Sequence, residues 1–338
     1  MSDKKAIIFG INGMDAKTVA HLLLDKKYQV VGTYRRNTLS IKHDIHSLYD
    51  FNQDISFEYC DINDFNSIKV LLNKHKDVTE IYLLAAQSHV GFSFESPSVS
   101  SANGYSVYNV LENVKNICPK SKLYFAATSE LFGGNNPQES YNENSPFDPR
   151  SPYSIYKEVG TRWIKFYRHM GIFACYGLLF NHSNIYRSED FFIRRVTKSA
   201  ARIATGKQKE LVLGNLDFYR DEHWSDFGCE MMWKMLQNEE PKDYVIATGK
   251  TWHGLEYLQR SFDYFNLKWE DYVKIDKSRF RPNEVVKLIG DSRLAQLELG
   301  WNPNRMSFAE HIKEMCFYDF EIETGNTPKR KNYLELYK

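Results

Sequence analysis

Near its N-terminus the chain runs from an unbroken apolar stretch, Ala6-Ile7-Ile8-Phe9, straight into Gly10-x-x-Gly13-x-x-Ala16. This order constrains the fold more than any other feature. A short apolar run without polar alternation reads as a strand buried on both faces, which belongs to a parallel sheet. Gly10 permits a tight turn, Gly13 lets backbone come close to a pyrophosphate, and the small Ala16 lets the following helix lie against the strand. The opening βα unit therefore predicts a dinucleotide-binding turn with its phosphates at a helix N-terminus.

The same alternation continues downstream. Strands are expected at 28–33, 55–59, 80–85, 122–127 and 174–179, with helical patterns between most of them. Strands alternating with helices imply an α/β fold, a Rossmann-type doubly wound parallel sheet. Beyond Phe180 the pattern loosens, with helices near 192–205 and 228–237 and short strands at 211–213 and 244–247. The expected organisation is a cofactor-binding domain over 1–180 that carries the chemistry. A smaller C-terminal substrate-binding lobe over 181–338 follows, with elements at about 214–250 returning to the main sheet. Lys and Arg total 44 against 43 Asp and Glu, so no basic field for nucleic acid exists and any anion site must be local. Five scattered cysteines form no Cys-x-x-Cys or Cys/His pattern, which argues for a reducing cytoplasm and against a structural metal. With no apolar span long enough for a bilayer, no membrane partner is expected.

Candidate chemistry lies in Thr128-Ser129-Glu130 and in Ser151-Pro152-Tyr153-Ser154-Ile155-Tyr156-Lys157. On a helix, Tyr153 and Lys157 share one face, where an ammonium favours the phenolate and makes it a usable base. After the second strand come Arg35 and Arg36, where an NAD-binding chain would usually carry an acid; two arginines there point to the 2′-phosphate of NADP. Binding crevices lie outside the carboxyl ends of parallel strands. That topology places Asp61 near the adenine ribose, and Ala85 and Gln87 near the middle of the cofactor.

These residues resemble the GDP-mannose 4,6-dehydratase family of extended short-chain dehydrogenases/reductases. The resemblance rests on Ala85-Ala86-Gln87-Ser88-His89-Val90, Thr128-Ser129-Glu130-Leu131-Phe132-Gly133, Pro149-Arg150-Ser151-Pro152-Tyr153, Leu179-Phe180-Asn181-His182, Leu213-Gly214-Asn215 with Arg220-Asp221, and Phe280-Arg281-Pro282-Asn283-Glu284-Val285. It implies a GDP-sugar substrate, NADP as cofactor, and redox-neutral loss of water. Tyr153 with Lys157 would take the C4 hydroxyl proton, Thr128 would hold that oxygen, and Glu130 would remove the C5 proton as the C6 hydroxyl departs. By the same resemblance Asp15, Ile62 and His182 join the cofactor site. Ser88, Asn181, Arg187, Asn215, Arg220, Arg281 and Glu284 are assigned to the substrate. Of Arg194 and Arg195 only one is expected to face it, since adjacent helical residues diverge by about 100 degrees. His89 receives no chemical role.

The chain departs from the family pattern mainly in the substrate lobe. Ser183-Asn184-Ile185-Tyr186 stands where the family has Glu-Ser-Pro-Arg, and Glu222-His223-Trp224-Ser225-Asp226 replaces a Trp-Gly-His-Ala-Lys-Asp run one residue longer. Retained chemistry on an altered sugar, a GDP-heptose or another GDP-hexose, is therefore one alternative. A C4 oxidoreductase or epimerase that never completes elimination is another. In the family the segment after Arg36 (37–49) would reach a neighbouring subunit and help make a homotetramer; here it holds no arginine, so at least a homodimer through sheet-flanking helices is expected, with a homotetramer left open.

Overall fold

In a computed structural model the described residues are 4–35, 55–134 and 140–337. They fall into two compact units.

Unit 1 comprises Met1–Leu131, Ser151–Leu179 and Cys229–Tyr244. Its strands are β1 (Lys5–Phe9), β2 (Gln29–Tyr34), β3 (Ile55–Tyr59), β4 (Glu80–Leu83), β5 (Lys122–Ala126) and β6 (Ala174–Leu179). They pair in parallel within a seven-stranded sheet ordered β6-β5-β4-β1-β2-β3, the strand Tyr244–Ile246 flanking β6. The order reverses at β1 and β4, whose carboxyl ends form the switch point where α/β sheets bind ligands. Every residue of β6 is buried, as the unalternated apolar sequence implies.

Two flanking helices, Pro97–Ile117 and Pro152–His169, pack side by side. Gly104 makes the approach possible, because a Cβ there would meet the Tyr156 carbonyl oxygen at 2.7 Å. The helix Pro152–His169 starts where its sequence dictates. Ser151 caps it in a reciprocal box with Ser154, both bonds 3.1 Å, and Pro152 fills the first turn, where no N–H is needed.

Unit 2 comprises Phe132–Arg150, Phe180–Gly228 and Val245–Lys338. Residues 132–150 thus group with this unit, and 229–244, inside the expected return at 214–250, with the first. Its centre is the strand Tyr219–Trp224, which pairs with Asn181–Ser183, Thr251–His253 and Lys287–Leu288. Helices Phe192–Ala204, Gly254–Asp263 and Phe308–Glu323 pack together, with Val196, Ala200, Leu213, Leu258 and Phe262 at their core. The strand Tyr219–Trp224 was not foreseen. It buries Arg220, Asp221, Glu222 and His223 in succession, so apolar periodicity could not mark it.

Candidate functional site

The dinucleotide turn comes first. Gly10 adopts φ +89°, and a Cβ on it would lie 2.8 Å from the Ala85 Cα, so glycine is required both for conformation and for space. Gly13 N–H donates to the Gly10 carbonyl at 2.9 Å, and the helix Met14–Asp25 begins without a side-chain cap. A cradle of bare backbone facing a helix N-terminus suits a pyrophosphate, so these residues fit a nicotinamide dinucleotide. Arg35 follows β2 directly and is exposed; Arg36 and 37–49 lie outside the described residues. Asp61 caps its own turn by accepting from Asn63 N–H, beside the buried Ile62. Gln87 is engaged locally: its amide donates to the His89 carbonyl at 3.0 Å, and Asn103 donates to its backbone oxygen at 2.8 Å. Ser88 next to it is exposed.

The proposed chemical groups sit together in unit 1. β5 ends at Ala126, and the chain turns through Thr128 into the short 3-10 helix Ser129–Phe132. Thr128 Oγ1 accepts from Glu130 N–H at 3.3 Å, which ties the carboxylate-bearing residue to the hydroxyl beside it. Tyr153 and Lys157 are both buried. Lys157 Nζ donates to the Ala126 carbonyl at 2.7 Å and lies 5.9 Å from the centre of the Tyr153 ring. Burial brings the Lys157 ammonium down to about 7, with the Asp15 carboxylate pulling the other way. Asp15, grouped with the cofactor on resemblance, thus also acts on the lysine; its carbonyl and carboxylate oxygens lie 3.7 and 3.9 Å from Cys229 Sγ. That link joins the helix Met14–Asp25 to the helix Ser225–Gln237, and no local motif could have disclosed it.

Apart from Ser88, the residues expected at the substrate lie in unit 2. Glu284 Oε1 accepts from Arg220 Nη2 and from Arg281 Nη1, each at 3.3 Å, so one carboxylate holds both guanidinium groups. Asn181 is the cross-strand neighbour of Glu222, and His182 that of His223, with the imidazoles stacked 5.2 Å apart. His182 Nδ1 is 2.7 Å from the Phe180 carbonyl. The Arg187 guanidinium carbon sits over the Phe191 ring, 3.6 Å from its centre. Asn215 accepts from Asp217 N–H at 2.9 Å and forms a turn.

Of the two adjacent arginines, Arg194 is the buried one. Its guanidinium is buried and pairs with Asp319 at 2.8 Å, in the packed interior of unit 2. Burial pushes the Asp319 carboxyl up to about 6, against the pull of Arg194. Arg195, about 100 degrees round the same helix, instead donates to the carbonyls of Glu189 and Asp190. Asp221, not among the expected site residues, accepts from Thr248 N–H and Oγ1, Gly249 N–H and Gly290 N–H at 2.6–3.2 Å. It clamps three segments next to Arg220.

The family model described as GDP-mannose 4,6 dehydratase matches residues 7–315. The chain belongs to the GDP-mannose 4,6-dehydratase family. It is 40% identical over 332 residues to GDP-mannose 4,6 dehydratase 2 of Arabidopsis thaliana, covering 94% of this chain and 87% of that protein. It is 36% identical to the Vibrio cholerae GDP-mannose 4,6-dehydratase, covering 98% of each. Among solved structures, a dTDP-glucose 4,6-dehydratase from Bacillus anthracis in complex with NAD shares the fold, with a TM-score of 0.81, 18% identity, and coverage of 96% of this chain and 98% of that one. The fold is that of the extended short-chain dehydrogenases/reductases. Among the described residues no helix is long and apolar enough to cross a membrane, and no group of potential metal ligands converges.

Proposed function

We propose that this chain converts GDP-mannose to its 4-keto-6-deoxy form by redox-neutral loss of water, with NADP as resident cofactor. The observation that carries this reading is Glu130, joined to Thr128 through its own N–H in the same unit as Tyr153 and Lys157. An oxidoreductase acting at C4 alone has no use for a carboxylate there. Gly10, Gly13, Arg35, Asp61, Ile62 and Ala85 would hold the dinucleotide. What the nicotinamide supplies when bound is a reversible hydride store, filled from C4 and emptied at C6.

The chain's own groups move the protons. Tyr153 takes the proton of the C4 hydroxyl, while the Lys157 ammonium stabilises the phenolate and Thr128 holds the oxygen. The resulting C4 ketone acidifies C5–H. Glu130 then removes that proton and delivers it to the departing C6 hydroxyl, which leaves as water. The proton lost from O4 balances the one C5 regains as hydride returns to C6. Asn181, Arg220 and Arg281 recognise the nucleotide diphosphate, for which a planar guanidinium fork is the suitable donor.

The test is incubation with NADP⁺ and GDP-mannose, following product mass for loss of one water. Unchanged GDP-mannose would refute the reading, and full water loss in Glu130→Gln would take the C5 proton transfer away from Glu130. We further place the chain in a reducing cytoplasm, which its five free, buried cysteines suit. It acts there as a homodimer. Tyr105, Ile155, Val159 and Phe166 expose apolar surface on the two packed helices of unit 1, more than a monomer's solvated helix face needs. A monomer in sedimentation at micromolar concentration would rule the dimer out.

A further inference from the structure

The helix Pro97–Ile117 buries three asparagines, Asn103, Asn109 and Asn113. Asparagine is a weak helix former, and a buried amide costs stability unless its hydrogen bonds are made. All three amides here bond the backbone of segments that follow β3 and β4. Beyond Leu84, whose N–H donates to the Phe9 carbonyl at 3.3 Å, the chain leaves the sheet. Asn103 then acts as a neighbouring strand would: its Oδ1 accepts from Gln87 N–H at 2.9 Å, and its Nδ2 donates to the Gln87 carbonyl at 2.8 Å. One side chain satisfies both backbone groups of one loop residue. The loop so held carries Ala85, against whose Cα the Gly10 turn packs without room for a side chain. The loop after β3 is held from the same helix. Asn109 Nδ2 donates to the carbonyls of Ile62 and Asn63 at 3.2 and 3.3 Å, and Asn113 Nδ2 donates to that of Phe65 at 3.2 Å.

We propose that Asn103 and Asn109 are positioning residues for the dinucleotide, two anchors on one helix that preset the loops on which its middle and its adenine end rest. The inference rests on the reading of the chain as a nicotinamide-dependent enzyme and adds to it what keeps the cofactor site in shape before the cofactor arrives. A loop that is already ordered loses little entropy when a ligand binds, so affinity rises. The division between the two anchors follows from the sheet. β4 lies next to β1, whose carboxyl end carries the glycine turn, whereas β3 lies beyond β2 on the other side. Asn103 therefore serves the pyrophosphate region, and Asn109 serves the adenosine through the loop that carries Asp61 and Ile62. All of these residues belong to unit 1.

The test is calorimetric titration of the native chain, Asn103→Leu and Asn109→Leu with NADP⁺ and with adenosine 2′,5′-bisphosphate, which carries the adenine end alone. Leucine keeps the shape of the asparagine and removes its hydrogen bonds. Asn103→Leu should weaken NADP⁺ about tenfold, the size of one or two net hydrogen bonds, and leave the bisphosphate within about twofold. Asn109→Leu should weaken both ligands about tenfold. The double variant should show the product of the two losses for NADP⁺, since the anchors hold separate loops. Unchanged NADP⁺ affinity in either single variant would overturn the proposal, and so would an equal loss of the bisphosphate in Asn103→Leu, the mark of a generally loosened domain. Should a variant fail to fold, amide hydrogen exchange in the native chain decides. The Gln87 N–H should be protected without cofactor and gain little when NADP⁺ is added; protection that arises only with NADP⁺ would mean that the cofactor, not Asn103, orders the loop. Where the native chain takes NAD⁺ instead, the same ratios are read with NAD⁺ and AMP. A native chain that binds NADP⁺ but leaves GDP-mannose intact refutes the reaction while the affinity ratios still judge the anchors. A native chain that binds no dinucleotide refutes both.

Discussion

The groups proposed for chemistry and those proposed for recognition are assembled in different ways. Thr128, Glu130, Tyr153 and Lys157 come from one strand end, one turn and the first turns of one helix, fixed by local bonds such as the Ser151–Ser154 box and Lys157 to Ala126. Asn181, Arg187, Arg220, Arg281 and Glu284 come from short strands and loops scattered along unit 2, and Glu284 holds Arg220 and Arg281 by ion pairs. Chemistry tolerates little displacement and so sits on rigid elements. Recognition of a flexible diphosphate can be built from long side chains held by mutual charge. Changes in the first set should therefore appear in kcat and changes in the second in KM.

The largest effect tests that contrast at Glu130. Glu130→Gln should lower water loss by about a thousandfold, within the usual range for a positioned acid-base group, with KM for GDP-mannose little changed. Product mass spectrometry and steady-state kinetics read both. A raised KM with near-native kcat would break the division. Lys157→Met should lower kcat by about a hundredfold or more and, unusually for an active-site change, stabilise the fold. Lys157 has a depressed pKa, down to about 7 from an ordinary 10.5. The folded state is therefore penalised where the unfolded chain is protonated and the folded chain resists protonation. That penalty is absent above pH 10.5, grows as pH falls, and is complete below about 7. The melting-temperature gain of Lys157→Met over the native chain should widen across that window and then level off; a constant gain would remove burial as its cause.

Two arginines that look alike in sequence sharpen the comparison. Arg194 is paired in the interior of unit 2, where its side chain is 8% exposed and that of Asp319 1%. Arg194→Met should therefore destabilise by about 3–5 kcal/mol, the usual consequence of orphaning one partner of a buried pair. Denaturant unfolding measures this, and kcat and KM of the folded fraction should stay put. Arg281, half-buried and bound to Glu284, should do the reverse. Arg281→Lys keeps the charge and loses the fork, so KM for GDP-mannose should rise about tenfold with stability nearly unchanged. Equal behaviour of the two variants would dissolve the distinction between scaffold and recognition arginines.

The contrast also explains what the sequence disclosed. β1, β4, β5 and β6 are legible because parallel strands buried on both faces read as largely apolar runs, and the structure places all six strands, the half-exposed edge strand β3 included, within a residue or two of expectation. The helix Pro152–His169 is legible from Ser151 and Pro152. The strand Tyr219–Trp224 is hidden because burial there is purchased with hydrogen bonds and ion pairs rather than apolar side chains, and those partners lie at Thr248, Gly249, Glu284 and Gly290. For the same reason the sequence could say that one of Arg194 and Arg195 turns inward but not that it turns toward Asp319. The link from Asp15 to Lys157 was equally out of reach, since it depends on β1 lying next to β4 and β4 next to β5.

The cofactor end of unit 1 tests the contrast where it is weakest, because it is a recognition function placed on local, rigid elements. Arg35 follows Tyr34, the last residue of β2, whose register is held by Tyr59 of β3 and whose carbonyl accepts from Cys60 N–H at 3.0 Å. The backbone carrying Arg35 is therefore set, while the exposed side chain is not. A guanidinium so placed contributes to binding only when a charge arrives. Arg35→Ala should then weaken NADP by about tenfold, leave NAD within about twofold, and leave kcat with saturating cofactor alone. Titration of both dinucleotides by protein fluorescence reads the ratio. Equal weakening of both would mean that Arg35 braces the strand end instead of reading the 2′-phosphate. Unchanged affinity for both would move the discrimination elsewhere. The predicted outcome would show that local placement makes a residue legible in sequence, while only contact with the reacting atoms makes it matter to kcat.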